Sequence, residues 1–332
     1  MNWWLGKGID GFRLDVVNLL SKAEGIPDGD PDGEWVGSEF FVDGPRIHEY
    51  LGQMHDEVFA GTDAVTVGEM PQLDIETARK YVGDGPLNLV FPFEHMDFDF
   101  GEAGRWDIGS WELTDLKSIL DKWQRGLEGH GWNTLFFENH DQPRSVSRFG
   151  DDEAYHYESA TAFATALLTL RGTPFVYQGQ ELGMTNTAFA TLDDVADVDT
   201  VRNVRELMAD GAFEEYQDVR HVVEARSRDN ARTPMQWTDG RHAGFTDGDP
   251  WLPVNDDYEV VNAARERERT PSVLSYYRTL IDVRGGSEPL QHGAYELYYP
   301  DDEQLYVYER SLDDERVAVV LNLSTESRGV EV

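Results

Sequence analysis

There is not one cysteine in the 332 residues, which excludes disulfides and thiolate metal sites and leaves the redox compartment open. Long hydrophobic runs are missing too, and nothing approaches the ~18 apolar residues that a membrane-spanning helix needs. The N-terminus lacks a basic segment followed by an apolar one, the pattern of a secretory signal, so the expected location is the cytoplasm. Basic residues are scarce: 28 Lys and Arg stand against 64 Asp and Glu, a net charge of −36. That argues against nucleic acid and anionic membrane surfaces as partners, because both require a positive field.

What is present is a chain able to fold. It is 40% hydrophobic and 12% aromatic, and long enough for more than one domain. The acids are dispersed, in runs such as Asp151-Asp152-Glu153, Asp256-Asp257 and Asp313-Asp314-Glu315. An acidic shell over a foldable core is what a high-salt cytoplasm favours, because salt screens the self-repulsion. The expectation is a halophilic protein; the plainer alternative is an ordinary acidic enzyme. The acidic runs themselves read as solvated surface.

Met1 to Lys7 reads as the last turn of a helix closed by Gly6 and Gly8. A first strand through Gly11–Leu14 follows at once. The polar, glycine-rich loop 21–44 has a length that usually carries function and would overhang that strand's C-terminal end. Further strands are expected at 64–68, 88–93, 133–137 and 174–177, alternating with helices at 45–59, 74–81, 114–127 and 157–170. Five strands in this alternation suit a parallel α/β barrel or a doubly wound sheet. A charged helical stretch at 197–232 and a helix at 271–284 lead to Gly285-Gly286. Beyond it, 295–299, 304–309 and 317–323 read as a small antiparallel β module. The expected domains are 1–285, the α/β part, and 286–332, the start of a β domain.

Three acids stand where apolar runs stop: Asp15 after Leu14, Glu69 after Thr66-Val67-Gly68, and Asp141 shortly after Leu135-Phe136-Phe137. Two carboxylic side chains on neighbouring strand ends can cleave a glycosidic bond, one as nucleophile and one as proton donor. The donor must stay protonated near neutrality, which takes an apolar or like-charged setting. Glu69, between Gly68 and Met70-Pro71, has that setting. Arg13 points the same way as Asp15 from a strand and would keep it ionised. His140 and Asp141 suit hydrogen bonds to sugar hydroxyls and favour positive charge on the ring. The competing reading is structural, with the acids paired to basic residues, Arg144 among them, and His140 in the core. Trp132, Phe136 and Phe137 read as core, and Trp35, Phe40 and Phe41 of the long loop as platforms for a sugar at the rim.

The motifs Gly8-Ile9-Asp10-Gly11-Phe12-Arg13-Leu14-Asp15-Val16, Gly68-Glu69-Met70-Pro71 and Asn139-His140-Asp141-Gln142-Pro143-Arg144, in this order, resemble the α-amylase family of glycoside hydrolases. The stretches Gly172–Met184 and Arg228–Trp237 are similar to its oligo-1,6-glucosidase and α-glucosidase subgroup. The resemblance implies an (β/α)8 barrel, here represented by about its last five strands, followed by part of a small β-sandwich. It implies that Asp15 is the nucleophile, Glu69 the acid/base and Asp141 the transition-state stabiliser. Arg13 would support Asp15, while His140 and Arg144 would contact the glucose at the cleavage site. Val16 is similar to subgroup members that accept α-1,6 links. The implied reaction is a double displacement with retention, with the carboxyls of Asp15 and Glu69 about 5–5.5 Å apart. The substrate would be a short α-gluco-oligosaccharide, with no cofactor and no metal in these residues. The family's first three strands, an Asp and a His near its third strand, and its calcium loop are expected upstream of Met1.

Other readings compete. A divalent metal held among the strand-end acids would make a different barrel enzyme. A non-catalytic module folding with a partner is another, since open sheet edges and exposed apolar faces invite association. Transglycosylation, or isomerisation of the sucrose and trehalose-forming kind, uses the same residues as hydrolysis.

Overall fold

The computed structural model describes residues 1–25, 27–31, 35–102 and 104–331, so positions 26 and 32–34 of the expected long loop lie outside the described residues. The chain forms two compact units. The first comprises Met1–Phe98, Asp115–Thr134 and Arg171–Thr173, and the second comprises Asp99–Thr114, Leu135–Leu170 and Pro174–Val332.

In the first unit a short helix α1 (Asn2–Leu5) leads into β1 (Gly11–Leu14). With β2 (Val65–Glu69) and β3 (Leu89–Phe91) it forms a parallel sheet in sequence order, in register from Gly11 opposite Val65 to Glu69 opposite Phe91. Glycine is required at the entry to β1, since a Cβ on Gly11 would lie 2.0 Å from the Val65 carbonyl oxygen. Crossovers run through α2 (Ile47–Met54), which continues as a π-turn over His55–Phe59, and through α3 (Ile75–Tyr81). Asp74 starts α3 by accepting the Thr77 N–H at 2.7 Å, one of the donors a helix start leaves free. The short α4 (Glu94–Asp97) follows β3, and the larger part of α5 (Leu113–Gly126) also belongs to this unit. The helical spacing of Ile47 and Leu51, of Ala78 and Tyr81, and of Trp123 and Leu127 brings all six into one core with Val17, Met70 and Val90.

The second unit opens with a hairpin, β4 (Phe100–Gly101) and β5 (Gly104–Ile108). Between the units the chain passes within two paired two-residue strands, β6 (Thr134–Leu135) and β7 (Thr173–Pro174). Longer strands were expected at both places. Pro174 has no N–H to lend to a ladder, and the chain turns at once, with Gln180 N–H on the Tyr177 carbonyl at 3.0 Å. Phe136 and Phe137 are buried without extending β6. Among the described residues the sheet does not close into a barrel; the architecture is parallel α/β with helices between the strands.

Helices α6 (Ser145–Phe149), α7 (His156–Thr169), α8 (Val198–Ala209), α9 (Tyr216–Arg226), α10 (Ala263–Glu268), α11 (Val273–Gly285) and α12 (Glu288–His292) complete the helical part. The expected antiparallel module is there as β8 (Ala294–Tyr298), β9 (Leu305–Leu312) and β10 (Glu315–Asn322), with β9 central. The Asp313-Asp314 pair turns β9 into β10, Asp313 in the left-handed region at φ 51°. Within this unit β9 packs on the end of α7: Arg310 donates to the Thr169 carbonyl at 2.6 Å, and the Tyr308 and Thr169 hydroxyls bond at 2.5 Å.

Candidate active site

In the first unit the parallel register sets Leu14 opposite Gly68, so the next residues along, Asp15 and Glu69, leave neighbouring strand ends together. Period-two alternation puts Arg13 and Asp15 on the same face. The Arg13 guanidinium lies between the acids, one nitrogen paired with Asp15 Oδ1 and the other 2.7 Å from Glu69 Oε1.

Their environments differ sharply. The Asp15 side chain is 71% exposed and that of Glu69 7%. Burial pushes the Glu69 carboxyl above its ordinary value, against the pull of Arg13 and of the Val16 N–H. One acid is open to a substrate and the other is disposed to keep a proton.

Glycine before the buried acid is a packing requirement. A Cβ on Gly68 would stand 2.8 Å from Leu87 Cδ1, 2.9 Å from Val17 Cγ1 and 3.0 Å from Met70 Cε. Val16, expected to touch substrate, is exposed, and its backbone is left-handed at φ 35°, ψ 47°. Its N–H donates to Glu69 Oε2 at 3.2 Å. The described ends of the long loop close on each other: the Ala23 N–H reaches the Phe40 carbonyl at 2.7 Å and the Arg46 N–H reaches Ser21 Oγ at 2.9 Å. Phe41 stacks on Trp35 at 6.5 Å between ring centres, so two of the three expected platforms lie against one another.

In the second unit Asp141 sits among arginines. Its Oδ1 pairs with Arg232 and lies 3.7 Å from Arg228 Nη1, while its Oδ2 is 3.4 Å from His140 Nε2. Arg232 also donates to the His140 carbonyl at 2.9 Å, and the Asp141 N–H is taken up by Asn139 Oδ1 at 2.8 Å. Arg228 is anchored on Asp197 at 2.5 Å. Burial would raise Asp197, yet Arg228 and Thr200 hold it down at about 2. Behind them Arg105 donates to the carbonyls of Asp141 and Arg226, and burial lowers its guanidinium to about 10. The His140 side chain is half-exposed, as a substrate contact requires.

Arg144 differs from expectation. Its side chain is 1% exposed and its guanidinium donates to Glu138 Oε2 at 3.1 Å and to the Gln178 carbonyl at 2.9 Å. The cause is Glu138, a buried acid that the sequence reasoning passed over; its other oxygen accepts the Ser145 N–H and hydroxyl at 3.0 and 2.7 Å. Arg144 therefore braces the segment carrying Asp141 and is not presented to a ligand. Arg228 and Arg232 were also missed as site residues. Their only signal was a four-residue spacing inside a motif already singled out. Next to Arg232 is an open cavity of about 530 Å3, lined by Tyr177, Glu181, Met235, Trp237 and Trp251 among others. Among the described residues no three His, Asp or Glu side chains converge as a metal centre requires, and the space between Asp15 and Glu69 is taken by Arg13.

Residues 1–293 match the alpha amylase catalytic domain. The chain is 46% identical to an oligo-1,6-glucosidase of Halalkalibacterium halodurans over 327 residues, which are 97% of this chain and 58% of that protein. The solved trehalose-6-phosphate hydrolase of Bacillus licheniformis aligns with a TM-score of 0.89 at 42% identity, over 97% of this chain and 57% of its own. The isomaltulose synthase of Erwinia rhapontici gives 0.93 at 37% identity, over 98% and 58%. The chain thus spans less than two thirds of the length of these relatives.

Proposed function

Because the chain belongs to the α-amylase family, we propose that it carries the chemistry of a retaining, exo-acting α-glucosidase on short gluco-oligosaccharides with α-1,6 or α-1,4 links. The observation that carries this reading is one arginine shared by an exposed and a buried carboxyl on adjacent strand ends. Asp15 attacks the anomeric carbon while Glu69 gives its proton to the departing glycosidic oxygen. Glu69, now a base, takes a proton from water as that water displaces Asp15, and the configuration is retained. Arg13 keeps Asp15 anionic. Asp141, held by Arg232, is suited to ring hydroxyls and to positive charge on a sugar, with His140 beside it. Phe41 and Val16 belong to the substrate's surroundings in the same reading.

We assign the α/β part, 1–285, to about the last five strands of the family's barrel and 286–332 to the start of its β domain. The acidic surface supports a cytoplasm rich in salt, and open sheet edges support association between chains.

The test is release of p-nitrophenol from its α-glucoside, and of glucose from isomaltose, by this chain in molar KCl beside Asp15→Ala. Turnover with an α-anomeric product, lost in the variant, is expected. A β-anomeric product, activity that survives in Asp15→Ala, or a folded chain without turnover overturns the proposal.

A further inference from the structure

We propose that Asn18 is a positioning residue for Glu69: it locks the turn after β1 so that a left-handed Val16 presents its N–H to the acid. This rests on the acid/base reading of Glu69 given above. A β-branched side chain resists the left-handed region, so Val16 stays there only if its surroundings hold it. They do so at three points. Asn18 is fully buried and its Nδ2 donates to the Pro71 carbonyl at 2.9 Å, two residues beyond Glu69 and just past the end of β2. The Asn18 carbonyl accepts the Asp43 N–H at 3.0 Å, and the Asp43 carboxylate in turn takes the hydroxyl of buried Tyr81. Val17, between them, packs on the bare face of Gly68. The turn is thus tied to the exit of β2, to the close of the 21–44 loop and to the core.

The reward for holding Val16 is one hydrogen bond in the right place. Glu69 Oε1 faces Arg13 at 2.7 Å and Oε2 faces the Val16 N–H at 3.2 Å, which fixes the carboxyl plane between them. The charged groups acting on Glu69 are Arg13 and Asp15, both from the strand beside it, and β3 sets Phe91 opposite. Without the N–H the carboxylate loses a donor, binds its proton more tightly and rotates more freely.

The experiment is a 13C carboxyl titration of Glu69 in the full chain, assigned with Glu69→Gln, together with amide hydrogen exchange at Val16. In Asn18→Leu, which keeps the volume, the Glu69 midpoint is expected to rise by about half a unit or more, and Val16 exchange to quicken about tenfold. Adding Val16→Gly is expected to bring the midpoint back, since glycine takes positive φ without strain. An unmoved midpoint in folded Asn18→Leu, or a rise that glycine does not reverse, overturns the proposal. Should the Asn18 variants not fold, Val16 exchange in the parent decides: protection supports the bond, and the rate of a free loop amide overturns it. The glucosidase reading fails on a separate result, parental hydrolysis by Glu69→Gln, which leaves the titration comparison intact.

Discussion

The two units treat their functional acids in opposite ways. In the first, one arginine serves two carboxylates, and one of these is buried, so the pair carries an excess of negative charge that a proton on Glu69 relieves. In the second, Asp141 meets Arg232 and Arg228, with Asp197 behind as a counter-charge, so its carboxylate is held in place by two guanidinium groups. The settings differ in burial as well as in partners: Glu69 is buried beside a second acid, and Asp141 is partly exposed between two arginines.

The strongest way to break this comparison is Glu69→Gln. Loss of the proton carrier should cut kcat/KM on isomaltose by about 10²–10⁴-fold and cost far less in kcat/KM on p-nitrophenyl α-glucoside, whose leaving group needs no proton in the first step. Equal losses on both would remove Glu69 from that role. Next, Arg144→Met leaves Glu138 buried and unpaired, and denaturant titration should show about 3–5 kcal/mol of lost stability. A raised KM at unchanged stability would instead restore Arg144 as a substrate contact.

The acid limb sharpens the comparison further. Asp197 titrates at about 2 in the folded chain against an ordinary 3.8, so its contribution is present above pH 4 and is lost as pH falls towards 2. That amounts to about 2 kcal/mol, and in Asp197→Asn the fall in unfolding free energy between pH 4 and 2 should shrink by that amount. The smallest effect is expected from Arg232→Lys, which keeps the charge near Asp141 and loses the fork that also reaches the His140 carbonyl. A drop in kcat/KM of about tenfold would fit, and no drop would mean that charge alone suffices.

Much of this was legible in the sequence because it follows from periodicity. The spacing of Ile47 and Leu51 announced α2, a helix was expected at 74–81 where α3 lies, and the alternation after Gly286 announced β8 to β10. Asp15, Glu69 and Asp141 stood out because an acid ending a buried run is chemically odd. What stayed hidden depends on partners distant in sequence or on backbone angles. The pairing that withdraws Arg144 appears only when Glu138 turns inward. No local pattern marks Val16 as left-handed, since valine is the wrong residue for that region. Strands β6 and β7 were read too long because apolar runs advertise burial as readily as pairing.

Gly68 also bears on heredity. Every single-base change of a glycine codon that replaces the residue with another amino acid adds at least a Cβ, and here that atom would meet Leu87, Val17 and Met70 within about 3 Å. A replacement at this position is therefore tolerated only where those side chains give way, Leu87 and Met70 at their flexible ends and Val17 close to its backbone.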